Sequence, residues 1–179
     1  MSEQTPGLPH VEIRVSLDDF DVGAEWRSLR QRCAGGFGAA ATFIGLVRDR
    51  DHGETVTGLH LEHYPGMTEQ SIEKIVSDAS VRWPLQDVLV VHRVGDLSPG
   101  DQIVFVQVAC GHRTAAFAAA EFIMDYLKTD AVIWKREDKA TGGQWLQASE
   151  LDEKRKAQWR PGAQDKHAPA QDKGAPAQD

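Results

Sequence analysis

Asp87-Val88-Leu89-Val90-Val91-His92-Arg93-Val94 and Gln102-Ile103-Val104-Phe105-Val106-Gln107-Val108-Ala109 are two runs rich in β-branched residues. Between them stands Gly95-Asp96-Leu97-Ser98-Pro99-Gly100-Asp101. Val and Ile suit a pleated, packed surface, and the Gly, Asp, Ser and Pro of the connection suit turns. A connection this short joins antiparallel strands, since a parallel return needs a crossover of roughly a dozen residues or more.

The flanking segments read in the same way. Residues 67–83 place Ile72, Ile75, Val76 and Ala79 on one helical face, and Pro84 ends the helix. Residues 114–128 form a second amphipathic helix. A strand is expected over 131–137, and a last one over 144–148, reached through Thr141-Gly142-Gly143. Toward the N-terminus, 11–15 alternate like a strand and 22–33 have helical character. Residues 39–47 and 56–64 are strand-like, with the turn-rich stretch 49–54 between them. Strands joined by turns, with helices interspersed, define an α+β fold: a largely antiparallel sheet with helices packed on it.

Residues 11–160 are expected to form one domain, preceded by a flexible N-terminus at 1–10. From Pro161 the chain repeats itself: Ala163-Gln164-Asp165-Lys166-His167-Ala168-Pro169 is echoed by Ala170-Gln171-Asp172-Lys173-Gly174-Ala175-Pro176. Without large apolar residues, 161–179 cannot offset its ordering entropy and is expected to be a disordered tail.

Composition narrows the function classes. With 41% apolar and 26% charged residues, the chain has the balance of a soluble globular protein. No apolar run approaches the roughly 20 residues that span a bilayer. The first ten residues lack the basic start and apolar stretch of a secretory signal, so a cytoplasmic location is expected. A net charge of −7 argues against nonspecific nucleic-acid binding but leaves room for a small anion in a local basic pocket.

Several motifs fail on spacing. Asp49-Arg50-Asp51-His52-Gly53-Glu54 has its Gly too early, and no distal Glu, for a calcium loop. Gly35-Gly36-Phe37-Gly38 precedes a strand and lacks the Lys-Ser/Thr of a phosphate loop. Neither Cys33 nor Cys110 has a Cys or His at metal-ligand spacing, so no metal or resident cofactor is expected and both read as inert thiols.

The basic residues are more informative. His112-Arg113 stand at the start of a helix, where free N–H groups and the positive dipole end receive anions. A surface cap would look the same. Arg48 ends a strand that contains Gly45, and a Gly inside a strand marks close approach by a ligand or another backbone. Lys128 lies one turn beyond Met124, on a face running through Phe117, Ala120, Met124 and Leu127. Lys135 shares a strand face with Ala131 and Ile133. Either lysine alone is explained by snorkelling. Two of them beside His112-Arg113 favour a site, since a desolvated lysine near other cations has a lowered pKa suited to proton transfer.

With these residues assembled, the chain resembles the large, catalytic subunit of molybdopterin synthase. The matching stretches are Phe43-Ile44-Gly45-Leu46-Val47-Arg48, Leu61-Glu62-His63-Tyr64-Pro65-Gly66-Met67, His92-Arg93-Val94-Gly95 and Pro99-Gly100-Asp101. The longest runs from His112-Arg113 through Phe122-Ile123-Met124-Asp125-Tyr126-Leu127-Lys128 to Ile133-Trp134-Lys135-Arg136-Glu137.

The resemblance implies an α/β hammerhead type of fold. It also implies sulfur transfer from the C-terminal Gly-Gly thiocarboxylate of a small ubiquitin-like partner to cyclic pyranopterin monophosphate, forming the dithiolene of molybdopterin in molybdenum cofactor biosynthesis. The implied assembly is a homodimer of this chain with a small subunit at each end, a heterotetramer. Lys128 is the implied principal catalytic residue and Lys135 its partner in proton transfer. Leu46, Val47, Arg48, His112, Arg113, Arg136 and Glu137 are the implied substrate contacts, with Phe43 and Met124 on the apolar side. Two other readings compete with this one: a persulfide sulfurtransferase acting through Cys110, and a noncatalytic scaffold for an anion or a ubiquitin-like tail.

Overall fold

The computed structural model describes residues 8–33, 36–51, 53–139 and 142–160. The repeat at 161–179 and most of 1–10 lie outside these, as do Gly35, His52 and Thr141. The two quoted β-rich runs become β5 (Leu85–Arg93) and β7 (Gln102–Cys110), which pair antiparallel. Their near-continuous apolar character has a simple cause: both faces are covered. Val88 and Val90 point into one core with Val106 and Val108. Leu89 and Val91 point the other way, against Phe105 and Phe20.

β1 (His10–Ser16) and β2 (Ala39–Leu46) flank this pair, giving the order β1-β5-β7-β2. β2 pairs antiparallel with β7, whereas β1 lies parallel to β5. α1 (Val22–Arg32) follows β1, and Asp21 caps it by accepting the Ala24 N–H at 3.0 Å. α2 (Met67–Arg82) and α3 (Arg113–Leu127) bury Ile72, Val76, Ala116, Ala119 and Ile123 against one face of the sheet.

The structure has a second sheet where the sequence suggests one. Its path is β3 (Arg50–Asp51), β4 (Glu54–His63), β8 (Ile133–Lys139) and β9 (Gly142–Leu146), with β6 (Gly95–Leu97) on the other side of β4. All of its pairings are antiparallel. The stretch expected to be pure turn between β5 and β7 thus supplies a short strand. Val47, Leu59, Leu61, Val94 and Leu97, with half-buried Val15 and Ile133, form a core joining the two sheets.

Ala131 and Val132 precede β8 instead of belonging to it. They are claimed by α2: the Thr68 hydroxyl donates to the Val132 carbonyl at 2.7 Å, and the Val132 N–H donates to Ser71 Oγ at 3.3 Å. The last strand likewise falls earlier than expected, which leaves Ser149 free to cap α4 (Glu150–Ala157). Ser149 Oγ accepts the Asp152 N–H at 3.1 Å, and the Asp152 carboxylate accepts the Ser149 N–H at 3.2 Å.

Two glycines are explained by packing. A Cβ on Gly38 would lie 2.2 Å from the Gly111 carbonyl, so the two chain segments meet too closely for any side chain. A Cβ on Gly45 would lie 2.7 Å from Val104 Cγ1, its cross-strand partner. The close approach marked by Gly45 is therefore to β7.

Candidate active site

α3 carries Lys128 at its C-terminal end, and the turn that follows brings the chain back into β8 with Lys135. Along β8, Ile133, Lys135 and Glu137 alternate onto the face that meets the inter-sheet core. Lys135 is half-buried there and Glu137 is buried. Burial pushes the Lys135 ammonium below the usual lysine range, and the charge of Lys128 pushes the same way. Asp152 opposes this, Arg48 adds to it, and Glu137 opposes it. The structure therefore gathers Lys135, Lys128, Arg48, Glu137 and Asp152 from β8, the end of α3, the segment after β2, and α4.

Each member is held by its own element. Arg48 is exposed and pairs with Asp51 at 2.9 Å. The preceding Val47 is fastened to the turn before β7: its N–H donates to the Asp101 carbonyl, and its carbonyl accepts the Gly100 N–H, both at 2.9 Å. Glu137 takes an ion pair from Lys139 at 3.3 Å, and Lys139 also reaches Glu54 at 2.6 Å. Lys128 is exposed, and among the described residues no hydrogen bond or ion pair holds its ammonium. That side chain is available to a ligand.

Asp152 is not among the residues foreseen from the sequence. Burial raises its pKa, but the hydrogen bonds from Ser149 and the charges of Lys128 and Lys135 outweigh this and hold the carboxyl below its ordinary value. The signal was legible as Ser149-x-x-Asp152, an acidic variant of the capping box.

The other expected residues fall in different places. Val47 is buried, and its side chain belongs to the inter-sheet core. Leu46 is 53% exposed just after a break in the β2–β7 register. Arg136 alternates onto the opposite face of β8 from Lys135, where it meets Asp138 at 3.0 Å and lies over the Trp145 ring. Phe43 is exposed on β2, and Met124 is half-buried. Phe117 is 64% exposed, so the stripe Phe117-Glu121-Met124-Lys128 is the rim of α3; the buried face runs through Ala116, Ala119, Ile123 and Leu127.

His112 and Arg113 are exposed at the far end of α3, whose first turn has no acidic residue and whose N-cap makes no side-chain bond. Fifteen residues at 1.5 Å each separate the two ends of this helix by about 22 Å. A single copy of the chain therefore carries two cationic groups, one at each end of α3.

Both cysteines are free. Burial raises both thiol pKa values, and Asp87 raises that of Cys33 further. Among the described residues, no group of three or more His, Cys, Asp or Glu side chains is placed to hold a metal ion. No helix among them is long and apolar enough to cross a membrane.

The domain is of the two-sheet α+β class, with Lys128 at the end of α3 and Lys135 on the strand that follows. Residues 15–130 match the family model described as MoaE protein. The chain is 55% identical over 149 residues to the molybdopterin synthase catalytic subunit of Ralstonia nicotianae, covering 82% of this chain and 83% of that one. The molybdopterin biosynthesis MoaE protein from Burkholderia ambifaria superposes with a TM-score of 0.71 at 49% identity, covering 83% of this chain and 97% of that one. A protein-protein complex of subunits 1 and 2 of molybdopterin-converting factor from Helicobacter pylori shares the fold, with a TM-score of 0.59 at 23% identity and coverage of 78% and 90%. The chain belongs to the MoaE family of molybdopterin biosynthesis.

Proposed function

We propose that this chain is the sulfur-accepting, catalytic half of a molybdopterin synthase. It transfers sulfur from the C-terminal thiocarboxylate of a small ubiquitin-like partner to cyclic pyranopterin monophosphate. The observation that carries this reading is the half-buried Lys135 beside Lys128, within the fold of this family. Each sulfur transfer makes a carbon–sulfur bond on the pterin side chain in place of a carbon–oxygen bond, whose oxygen leaves as water or remains on the phosphate. Water then attacks the partner's carbonyl carbon, breaking its carbon–sulfur bond and leaving the terminus as a carboxylate. Negative charge develops on that carbonyl oxygen as the bond changes. Lys128, an unengaged cation, is suited to stabilise it. Lys135 has its pKa lowered toward neutrality, so it accepts and returns protons more readily than an ordinary lysine. Raised thiol pKa values disfavour the thiolate that a persulfide route through Cys110 would need.

The separation along α3 gives the homodimer a chemical reason. His112 and Arg113 cannot reach the phosphate of a substrate held at Lys128 of the same copy, so a second copy supplies them. β2 is the edge of its sheet among the described residues, with Phe43, Ile44 and Leu46 exposed. Antiparallel pairing of two such edges brings the Ala39 end of one copy, next to Gly111 and His112, against the Arg48 end of the other.

Copies bearing Arg113→Ala and copies bearing Lys128→Ala are each expected to be nearly inactive. Unfolded and refolded together, they should regain activity at about a quarter of the sites, because half of the random dimers contain one intact composite site. No recovery from mixed dimers, verified by differential tagging, would place both groups in one copy's site and overturn the arrangement.

A further inference from the structure

Glu137 is a buried carboxylate with a lysine on each side of it. Along β8, Lys135, Glu137 and Lys139 alternate onto one face, so each lysine stands two positions from Glu137, about 7 Å along the strand. The carboxylate has taken only one of them. Its Oε2 lies 3.3 Å from the Lys139 ammonium, with both side chains largely buried. Among the described residues that oxygen makes no hydrogen bond of good geometry, and no ion pair joins Glu137 to Lys135.

The neighbouring strand explains the choice. Val56 and Leu59 of β4 are three positions apart yet both buried, because the β4–β8 pairing slips between Val56 and Gly58. Glu137 stands opposite Leu59, and Lys139 opposite Val56. Glu54, two positions before Val56, comes onto the same face and accepts from the Lys139 ammonium at 2.6 Å. The Glu54 bond raises the Lys139 pKa, burial opposes it, and the Glu137 bond raises it again, so this lysine is a firm cation.

Building on the sulfur-transfer reading, we propose that Lys139 is a positioning residue for that reaction: it holds Glu137 toward the far end of β8 and keeps the carboxylate from pairing with Lys135. A buried carboxylate is too costly to stand alone, so Glu137 takes one of its two lysines. Pairing with Lys135 would fix that group as an ammonium and oppose the proton transfer assigned to it. The other groups facing Lys135 are unaffected by the choice. Lys128 at the end of α3 and Arg48 after β2 press its pKa down, and Asp152 of α4 presses it up. His92 of β5 feels its charge but is neutral, burial lowering its pKa to about 4, and His63 of β4 stands opposite Ile133 on the same face.

The titration of Lys135 in the full chain, followed at its 13Cε and identified by its loss in Lys135→Arg, tests this without substrate. In Lys139→Met the freed carboxylate turns to Lys135, and the midpoint should rise by about one pH unit. Lys139→Arg should keep the original midpoint. In a Glu137→Gln background, Lys139→Met should move it no further. With partner and substrate present, the acid limb of the kcat–pH profile should follow the same pattern, lowering turnover at neutral pH about tenfold in Lys139→Met alone. Where that variant fails to fold, Lys139→Gln carries the same measurement. An unmoved midpoint in the folded variant would overturn the proposal, and so would an equal shift in the Glu137→Gln background, which would show that Lys139 acts without Glu137. Failure of the unsubstituted chain to form dithiolene would sink the sulfur-transfer reading instead, and the titration series would still decide which lysine Glu137 takes.

Discussion

Replacing Lys128 by alanine is expected to lower turnover by about 10²–10⁴-fold, the range contributed by a positioned acid, base or charge. The loss should appear in the single-turnover rate with the small partner still bound, because Lys128 is one exposed side chain at the end of a helix. Stability should change little. A cation at a helix C-terminus interacts with the dipole by about 0.3–1 kcal/mol, and among the described residues no bond of this side chain is broken. The substitution also removes one of the two main influences that lower the Lys135 pKa, so the Lys135 titration should move up toward the ordinary lysine value. Unchanged turnover in the Lys128→Ala protein would support a noncatalytic scaffold instead.

Trp159→Ala is expected to cost about 3–5 kcal/mol of folding stability, the range for truncating a large buried aromatic, read from urea or thermal unfolding. Trp159 lies just beyond α4 and is only 6% exposed. Its ring meets Trp83 and Phe122 edge-on, with centroids 5.8 and 5.5 Å away. Its indole N–H donates to buried Asp125 at 2.7 Å, and its carbonyl accepts from Arg82 at 2.7 Å. Burial already raises the Asp125 pKa, and the indole bond is the largest influence lowering it again. Without the indole, that carboxyl loses the largest influence holding its pKa down, and only the charge of Arg155 still lowers it. Together with the Lys156–Asp130 ion pair, Trp159 also fastens α4 over the end of α3, and so holds Asp152 near the two lysines. Turnover should therefore fall even at temperatures where the Trp159→Ala protein remains folded. Trp159→Phe, which keeps an aromatic ring without the N–H, separates the packing loss from the hydrogen-bond loss.

The sequence exposes what depends on local pattern and hides what depends on distant pairing. β5 and β7 stand out because a strand covered on both faces has to be apolar throughout. The helices α2 and α3 stand out through their periodic apolar faces. The parallel partnership of β1 with β5 is invisible, since it joins residues 77 positions apart and leaves no local mark. Division of the strands into two sheets is hidden for the same reason. α4 escapes notice because none of its residues is buried, so it has no apolar stripe, and only its Ser149–Asp152 cap announces it.

At the site, Lys128 and Lys135 are conspicuous as charges where a pattern expects apolar side chains. The resemblance to the family brings in Arg136 beside Glu137, although alternation along a strand sends neighbours to opposite faces, and the structure follows the alternation. The distance between His112-Arg113 and Lys128 is implicit in the helix length. The proposal of a site shared between copies rests on that length, with one basic group at each end of α3.

The central claim is tested most directly by combining the purified chain with cyclic pyranopterin monophosphate and a small ubiquitin-like partner carrying a C-terminal thiocarboxylate. The expected result is the dithiolene of molybdopterin, with two partner termini returned as carboxylates for each product and with formation severely reduced in Lys128→Ala and Lys135→Ala. Absence of dithiolene from the complete mixture of folded components would contradict it.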